Sequence, residues 1–246
     1  MALKASPDDQ ALLLDLQRLD NLVQQLDHRA KNLPEHAQLT ALAREEEQLR
    51  VQLAQRLGAW EDANAELKRT ESDVAVVEAR MTRDNSRLQA TSSVRDVQAL
   101  EQELAALKSR LSDLEDIELS VMERVEAAQA ELDATRAAMT EIATKRAELE
   151  QSRDAALASI DGDRRHAQAN RSTVAGRVPA DLLALYEKQR ARYGVGASLL
   201  RGGMSTASGV ALNASDMNAV RAAAPDDVLL CPDSSAILIR TAESGL

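Results

Sequence analysis

The sequence predicts a mainly α protein, a long antiparallel coiled-coil helical hairpin followed by a small C-terminal β domain, and three observations carry that prediction. Apolar residues make up 44% of the 246, yet there is no Phe, one Trp and two Tyr, so a core must be built from Leu, Val, Ile, Met and Ala. Such side chains suit narrow helix seams better than a thick globular centre. Apolar residues then recur alternately three and four positions apart, the period that lays them in one stripe along a supercoiled helix. Finally, only nine Gly and five Pro occur in the chain, and most of the Gly fall after residue 160, which leaves few places where an earlier helix must stop.

The first stripe is Leu12, Leu16, Leu19, Val23, Leu26, Ala30 and Leu33. Asn32-Leu33-Pro34 interrupts it, because proline lacks an N–H and pushes the residue before it out of helical geometry, so a kink is expected near 32–34. A second stripe follows as Leu39, Leu42, Leu49, Leu53, Trp60, Ala63, Leu67, Val74, Val77, Met81 and Leu88, with Glu46, Arg56, Thr70 and Asp84 at the intervening seam positions. Those polar residues either set the register or mark a loose seam. Around 89–96 the run Ala90-Thr91-Ser92-Ser93-Val94-Arg95-Asp96 is rich in short hydroxyl side chains that compete with helix hydrogen bonds and cap helix starts, so the chain is expected to reverse there. The third stripe is the most regular, from Leu100, Leu104, Leu107, Leu111 and Leu114 through Leu132, Met139 and Ile142 to Ile160. Arms of roughly 80 residues on either side of one short loop would each reach on the order of 100 Å and predict an antiparallel pair.

Residues 1–176 therefore read as the hairpin. Over 177–203, Pro179 opens a short helix through Leu182, Leu183, Leu185 and Tyr186 to about Arg192, and Gly194, Gly196, Gly202 and Gly203 read as a flexible connector. The remaining 204–246 hold Val228-Leu229-Leu230 and Ile237-Leu238-Ile239, two β-rich runs joined by a short turn, preceded by one or two helical turns capped by Asn213 or Ser215.

At this point a family resemblance appears. The stretches Val178-Pro179-Ala180-Asp181-Leu182-Leu183-Ala184-Leu185-Tyr186-Glu187, Val220 to Val228, and Ile237 to Leu246 resemble the bacterial C4-type zinc-ribbon proteins with an N-terminal coiled-coil hairpin, most closely their actinobacterial branch. The resemblance implies a zinc-ribbon-like C-terminal domain with two Cys-x-x-Cys knuckles, which place four thiolates around Zn²⁺. Here those positions are Ser205, Ser208, Cys231 and Ser234, and Ser235 stands where the family has a glycine. A serine hydroxyl would have to ionise to replace a thiolate, so no metal and no cofactor is expected, although zinc is the family's ion. Val210, Leu212, Met217, Val220, Leu229 and Leu238 are expected to hold the domain by packing on each other and on the Leu182 to Tyr186 helix.

The formal charge of −10 argues against global attraction to nucleic acid or an anionic membrane. One local stretch departs from it: Arg164, Arg165, Arg171, Arg177, Lys188, Arg190, Arg192 and Arg201 face only Asp181 and Glu187 between residues 164 and 201, a net of +6. That stretch is a candidate surface for a partner protein or, alternatively, for RNA or DNA phosphates. His28, His36 and His166 lie far apart on charged helical stretches, no nucleophile has a base nearby in sequence, and no glycine-rich loop follows a strand, so no catalytic residue is assigned. The lone Cys231, the lack of a signal-like segment and the lack of an apolar run of about 20 residues fit a cytoplasmic protein with no membrane partner. The functional expectation is a non-enzymatic adaptor or scaffold that binds an unidentified protein partner through the ribbon end, with oligomeric state left open.

Overall fold

The computed structural model describes residues 3–246. Its elements run α1 (Pro7–Lys31), α2 (Pro34–Ala90), α3 (Val94–Ala175), α4 (Ala180–Tyr193), β1 (Ala197–Arg201), β2 (Met204–Ser205), α5 (Ala214–Ala222), β3 (Leu229–Leu230) and β4 (Ile237–Ile239), closing with a 3-10 turn at Ala242–Ser244. Two compact units divide it, one of residues 35–151 and one of residues 1–34 with 152–246.

In the unit of 35–151, α2 and α3 pair as the arms of the helical hairpin. The order of the ion pairs between them fixes the direction: Glu46 with Arg146 (3.0 Å), Arg56 with Glu131, Glu66 with Arg124 (2.8 Å) and Arg80 with Glu103. Numbers that rise on one helix fall on the other. Buried along the seam are Ala63, Leu104, Leu114, Val121, Leu132 and Ile142, together with the polar Thr70 and Asp84. Thr70 satisfies its hydroxyl by donating to its own helix at Glu66 O, 3.2 Å away, whereas Oδ2 of Asp84 accepts no hydrogen bond. The reversal takes only Thr91, Ser92 and Ser93, where the Ser93 N–H donates to Thr91 Oγ1 (3.3 Å) and Ser93 O accepts the first α3 bond from Val97 N (3.0 Å).

The second unit is built on α1. Ser6 caps it, its hydroxyl accepting from Asp9 N at 3.1 Å with Pro7 just inside the helix. It ends at Asn32, so Pro34 starts a new helix. Leu26 and Leu33 pack against Ile160 on the last part of α3. Gly162 lies within α3 without ending it, since one glycine costs a long helix only about 1 kcal/mol.

The sheet has the order β2-β1-β4-β3. β3 and β4 pair antiparallel, Leu229 opposite Leu238 and Leu230 opposite Ile237, as the sequence predicts. The connector expected over 194–203 is instead largely strand: β1 runs parallel to β4, with Ala197, Ser198 and Leu199 opposite Ile237, Leu238 and Ile239, and turns back into β2 through Gly202 and Gly203. Its glycine flanks masked a five-residue strand, because β1 gains its hydrogen bonds from a segment some 40 positions away that no local pattern shows. Successive β4 side chains alternate between two cores. Ile237 and Ile239 pack with Leu13, Leu16, Leu182 and Tyr186, and Leu238 packs with Leu200, Leu212, Val220 and Cys231. Val210, expected in that second core, is 50% exposed because the β2 edge leaves it without a covering layer.

Candidate functional site

Sequence logic singled out eight cations, and the structure brings two of them to one buried carboxylate. Asp20 is 5% exposed on α1. Arg171, from the end of α3, donates to both its oxygens through Nε (2.6 Å) and a terminal nitrogen (3.2 Å), and donates also to Glu187 at 2.6 Å. Arg190 on α4 donates to Asp20 as well, and the buried Tyr186 hydroxyl donates to Asp20 Oδ2 at 2.7 Å. Three helices thus meet on one anion. Burial works to raise the Asp20 carboxyl, but Arg171, Arg190 and Tyr186 outweigh it and hold the group below the ordinary carboxylate range. The same contacts raise Arg171, through its bonds to Asp20 first, and raise Tyr186, through burial first and its hydrogen bond to Asp20 second. One turn earlier on α1, Gln17 Oε1 accepts from the N–H groups of Gly196 (2.7 Å) and Ala197 (3.2 Å), which anchors the start of β1.

Three of the other six cations of the stretch also have carboxylate partners. Arg164 lies 3.4 Å from Asp27 and 3.1 Å from Asp161, Arg165 meets Asp161, and Arg201 lies 3.3 Å from Glu243. Arg192 sits over the Tyr193 ring, 5.2 Å from its centroid. Among the described residues, only Arg177, Lys188 and Arg192 of the eight have no carboxylate within 4.0 Å. The net +6 of the sequence window is therefore local bookkeeping, because Asp20, Asp27, Asp161 and Glu243 come from outside it.

A second cluster gathers the positions where the resembled family carries its knuckles. Cys231 is buried, and burial pushes its thiol up; hydrogen bonding to the thiolate from the Ser234 hydroxyl and N–H, the Ser205 hydroxyl and the Asp233 N–H more than offsets this, and the thiol lies below its ordinary range. The fully buried Ser205 hydroxyl shares a hydrogen bond with Ser198 Oγ at 2.8 Å, and Ser198 Oγ accepts from Ala207 N at 3.0 Å. Ser208 turns elsewhere, its Oγ accepting from Val210 N at 3.3 Å. Among the described residues no group of three His, Cys, Asp or Glu side chains converges.

Asp20, Gln17 and Arg240 were not singled out from sequence. Arg240 donates to the carbonyls of Ala223 (3.0 Å), Ala224 (2.7 Å) and Asp227 (2.9 Å), tying the end of α5 to the sheet. A signal for two of them exists: Gln10, Leu13, Gln17 and Asp20 recur at steps of 3, 4 and 3 and form a second buried stripe beside the seam of α1. A helix with two stripes has two partners.

The paired long helices and the small attached sheet define a coiled-coil hairpin protein. The chain belongs to the CT398-like coiled coil hairpin domain family, whose pattern matches residues 16–194 and stops before β1. It is 33% identical over 239 residues to Rv2229c of Mycobacterium tuberculosis, covering 97% of this chain and 98% of that relative. A solved structure from Mycobacterium smegmatis matches with a TM-score of 0.84 at 34% identity, over 97% of this chain and 100% of the other. CT398 from Chlamydia trachomatis shares the fold at a TM-score of 0.63 and 16% identity, over 95% of this chain and 98% of the other. No helix among the described residues is long and apolar enough to cross a membrane.

Proposed function

We propose that the protein is a non-enzymatic adaptor or scaffold whose C-terminal sheet is a zinc-ribbon-like domain that works without zinc and docks a protein partner. The observation that carries the docking reading is the β2 edge. Met204 and Val210 are both exposed where the 210–212 segment pairs along β2, through backbone bonds from Ser205 N to Val210 O (3.1 Å) and from Leu212 N to Gly203 O (2.8 Å), on a sheet whose two faces are already packed. Exposed apolar side chains on a strand edge are a liability unless a partner uses them. Zinc does not fit the residues present: three of the four knuckle positions are neutral hydroxyls, and those of Ser205 and Ser208 are already bonded within the protein. The work a metal would do in holding so small a domain falls to Ile237 and Ile239 against α1 and α4, and to the Asp20 cluster beneath.

The nucleic-acid alternative rests on Arg177, Lys188 and Arg192 alone, since the other five cations of the stretch have carboxylate partners. Photo-crosslinking of the full chain in cytoplasmic lysate, with and without nuclease, separates the two readings. A protein adduct that survives nuclease and is lost in the Met204→Ser, Val210→Ser variant is the expected result. Adducts that vanish with nuclease and with Arg177→Gln, Lys188→Gln, Arg192→Gln would replace the adaptor with a nucleic-acid-binding module.

A further inference from the structure

The net charge of the protein is confined to one unit. Residues 35–151 hold 25 acidic and 15 basic side chains, a net of −10, while the remainder of the chain holds 15 of each. Within that unit the excess is concentrated on α3, where residues 113–133 contain eight carboxylates and one cation, Arg124, which is engaged by Glu66 at 2.8 Å.

Leu119 and Met122 stand in the middle of this stretch, one helical turn apart, 60% and 42% exposed. Residues three and four apart on a helix are neighbours on its surface. Leu119 is therefore flanked by Glu115, Asp116 and Glu123, and Met122 by Glu118 and Glu126. None of these five carboxylates has a Lys or Arg within 4.0 Å among the described residues, although the same hairpin pairs Glu46, Glu66, Glu103 and Glu131 with arginines. Neutralising cations are thus spent on the flanks of the seam and withheld from the Leu119 face.

From this arrangement we propose that the Leu119–Met122 face of α3 is a second docking surface, which takes a basic amphipathic helix of a partner protein. Such a helix offers apolar anchors at positions i and i+3 or i+4 to cover Leu119 and Met122, and Lys or Arg on either side to meet the five free carboxylates. The attraction would steer encounter as well as hold the complex, and it weakens with salt. Charge argues against a second copy as the occupant, because an isologous contact would bring two rings of five unneutralised carboxylates together. It argues equally against anionic lipid and nucleic acid.

The probe is a fluorescently labelled helical peptide of Leu, Lys and Arg with its Leu at helical spacing, and a control of the same composition scrambled to break that spacing. Titration of the full chain, followed by anisotropy at low and high salt, is expected to show the amphipathic peptide binding about tenfold or more tightly than the scrambled one. Leu119→Ser with Met122→Ser is expected to weaken binding about tenfold, and Glu115→Gln, Glu123→Gln, Glu126→Gln to weaken it and flatten the salt dependence. All these side chains lie outside the hydrophobic seam, so circular dichroism of each variant should match the parent. The Met204→Ser, Val210→Ser variant should bind the peptide as the parent does, which keeps this surface distinguishable from the β2 edge. Equal binding of the two peptides, or no change on losing Leu119 and Met122, would overturn the proposal. So would sedimentation showing self-association that the Leu119→Ser, Met122→Ser variant abolishes.

Discussion

Asp20 is the residue on which the most depends. Replacing it with Asn would leave Arg171 and Arg190 in a partly buried site without their anion, and a loss of about 3–5 kcal/mol in urea unfolding is expected. Its acid sensitivity has a definite sign. The folded-state carboxyl titrates below its unfolded value, near 3.9, so its contribution is fully present above about pH 4 and disappears as pH falls through the lower folded value. Melting temperature should therefore drop on acidification more steeply for the parent than for Asp20→Asn. Gly196 makes a second test at this scale. A Cβ there would stand 2.5 Å from the Tyr186 ring, which is fully buried and has nowhere to go, so Gly196→Ala should cost about 1–3 kcal/mol. Ser235 runs the other way. It holds φ of 58°, a left-handed conformation that disfavours a Cβ, and Ser235→Gly should stabilise the sheet by up to about 1 kcal/mol.

The hairpin seam shows at the level of elements how much a heptad pattern settles. Leu104, Leu114, Leu132 and Ile142 are buried at the positions the three-four spacing assigns, and the polar positions Thr70 and Asp84 are buried with them. Asp84 is the less comfortable of the two. Its nearest cations, Arg87 at 3.7 Å and Arg80 at 3.9 Å, are beyond hydrogen-bond reach, and Oδ2 is left without a donor. Asp84→Leu should therefore raise hairpin stability, by about 1–3 kcal/mol in thermal unfolding, and a decrease would mean that the carboxylate fixes the register of α2 on α3. The helix ends were legible for the same reason the seam was: Pro34, the serines before Val94 and Pro179 act through their own backbone chemistry and need no partner. β1 was not legible, because a strand flanked by glycine on both sides acquires its identity only from β4.

For the molecule as a whole, serine at three of the four positions where the resembled zinc-ribbon family carries thiolates makes a clear prediction: chelator should leave the melting temperature of the full chain unchanged. Hydrogen exchange should find Ile237 among the slow amides, since its N–H donates to Gly196 O at 2.9 Å within a fully buried strand. Composition and apolar period by themselves determined the helical class, the places where helices begin and end and the β3–β4 turn, because each of these depends on residues within a few turns of one another, and the antiparallel pairing followed from two long apolar stripes joined by one short loop. The candidate site was only half visible. The eight cations could be read off the chain, but whether each faced water or a carboxylate depended on Asp20, Asp27, Asp161 and Glu243, three of them on helices distant in sequence or beyond the sheet. Only the tertiary structure decided that the basic stretch is mostly neutralised, that Ile237 and Ile239 face α1 and α4 while Leu238 faces the other core, and that Val210 is left at an edge. The physical reason is that periodicity along one element says which side chains share a face, while burial and charge compensation belong to whatever that face meets.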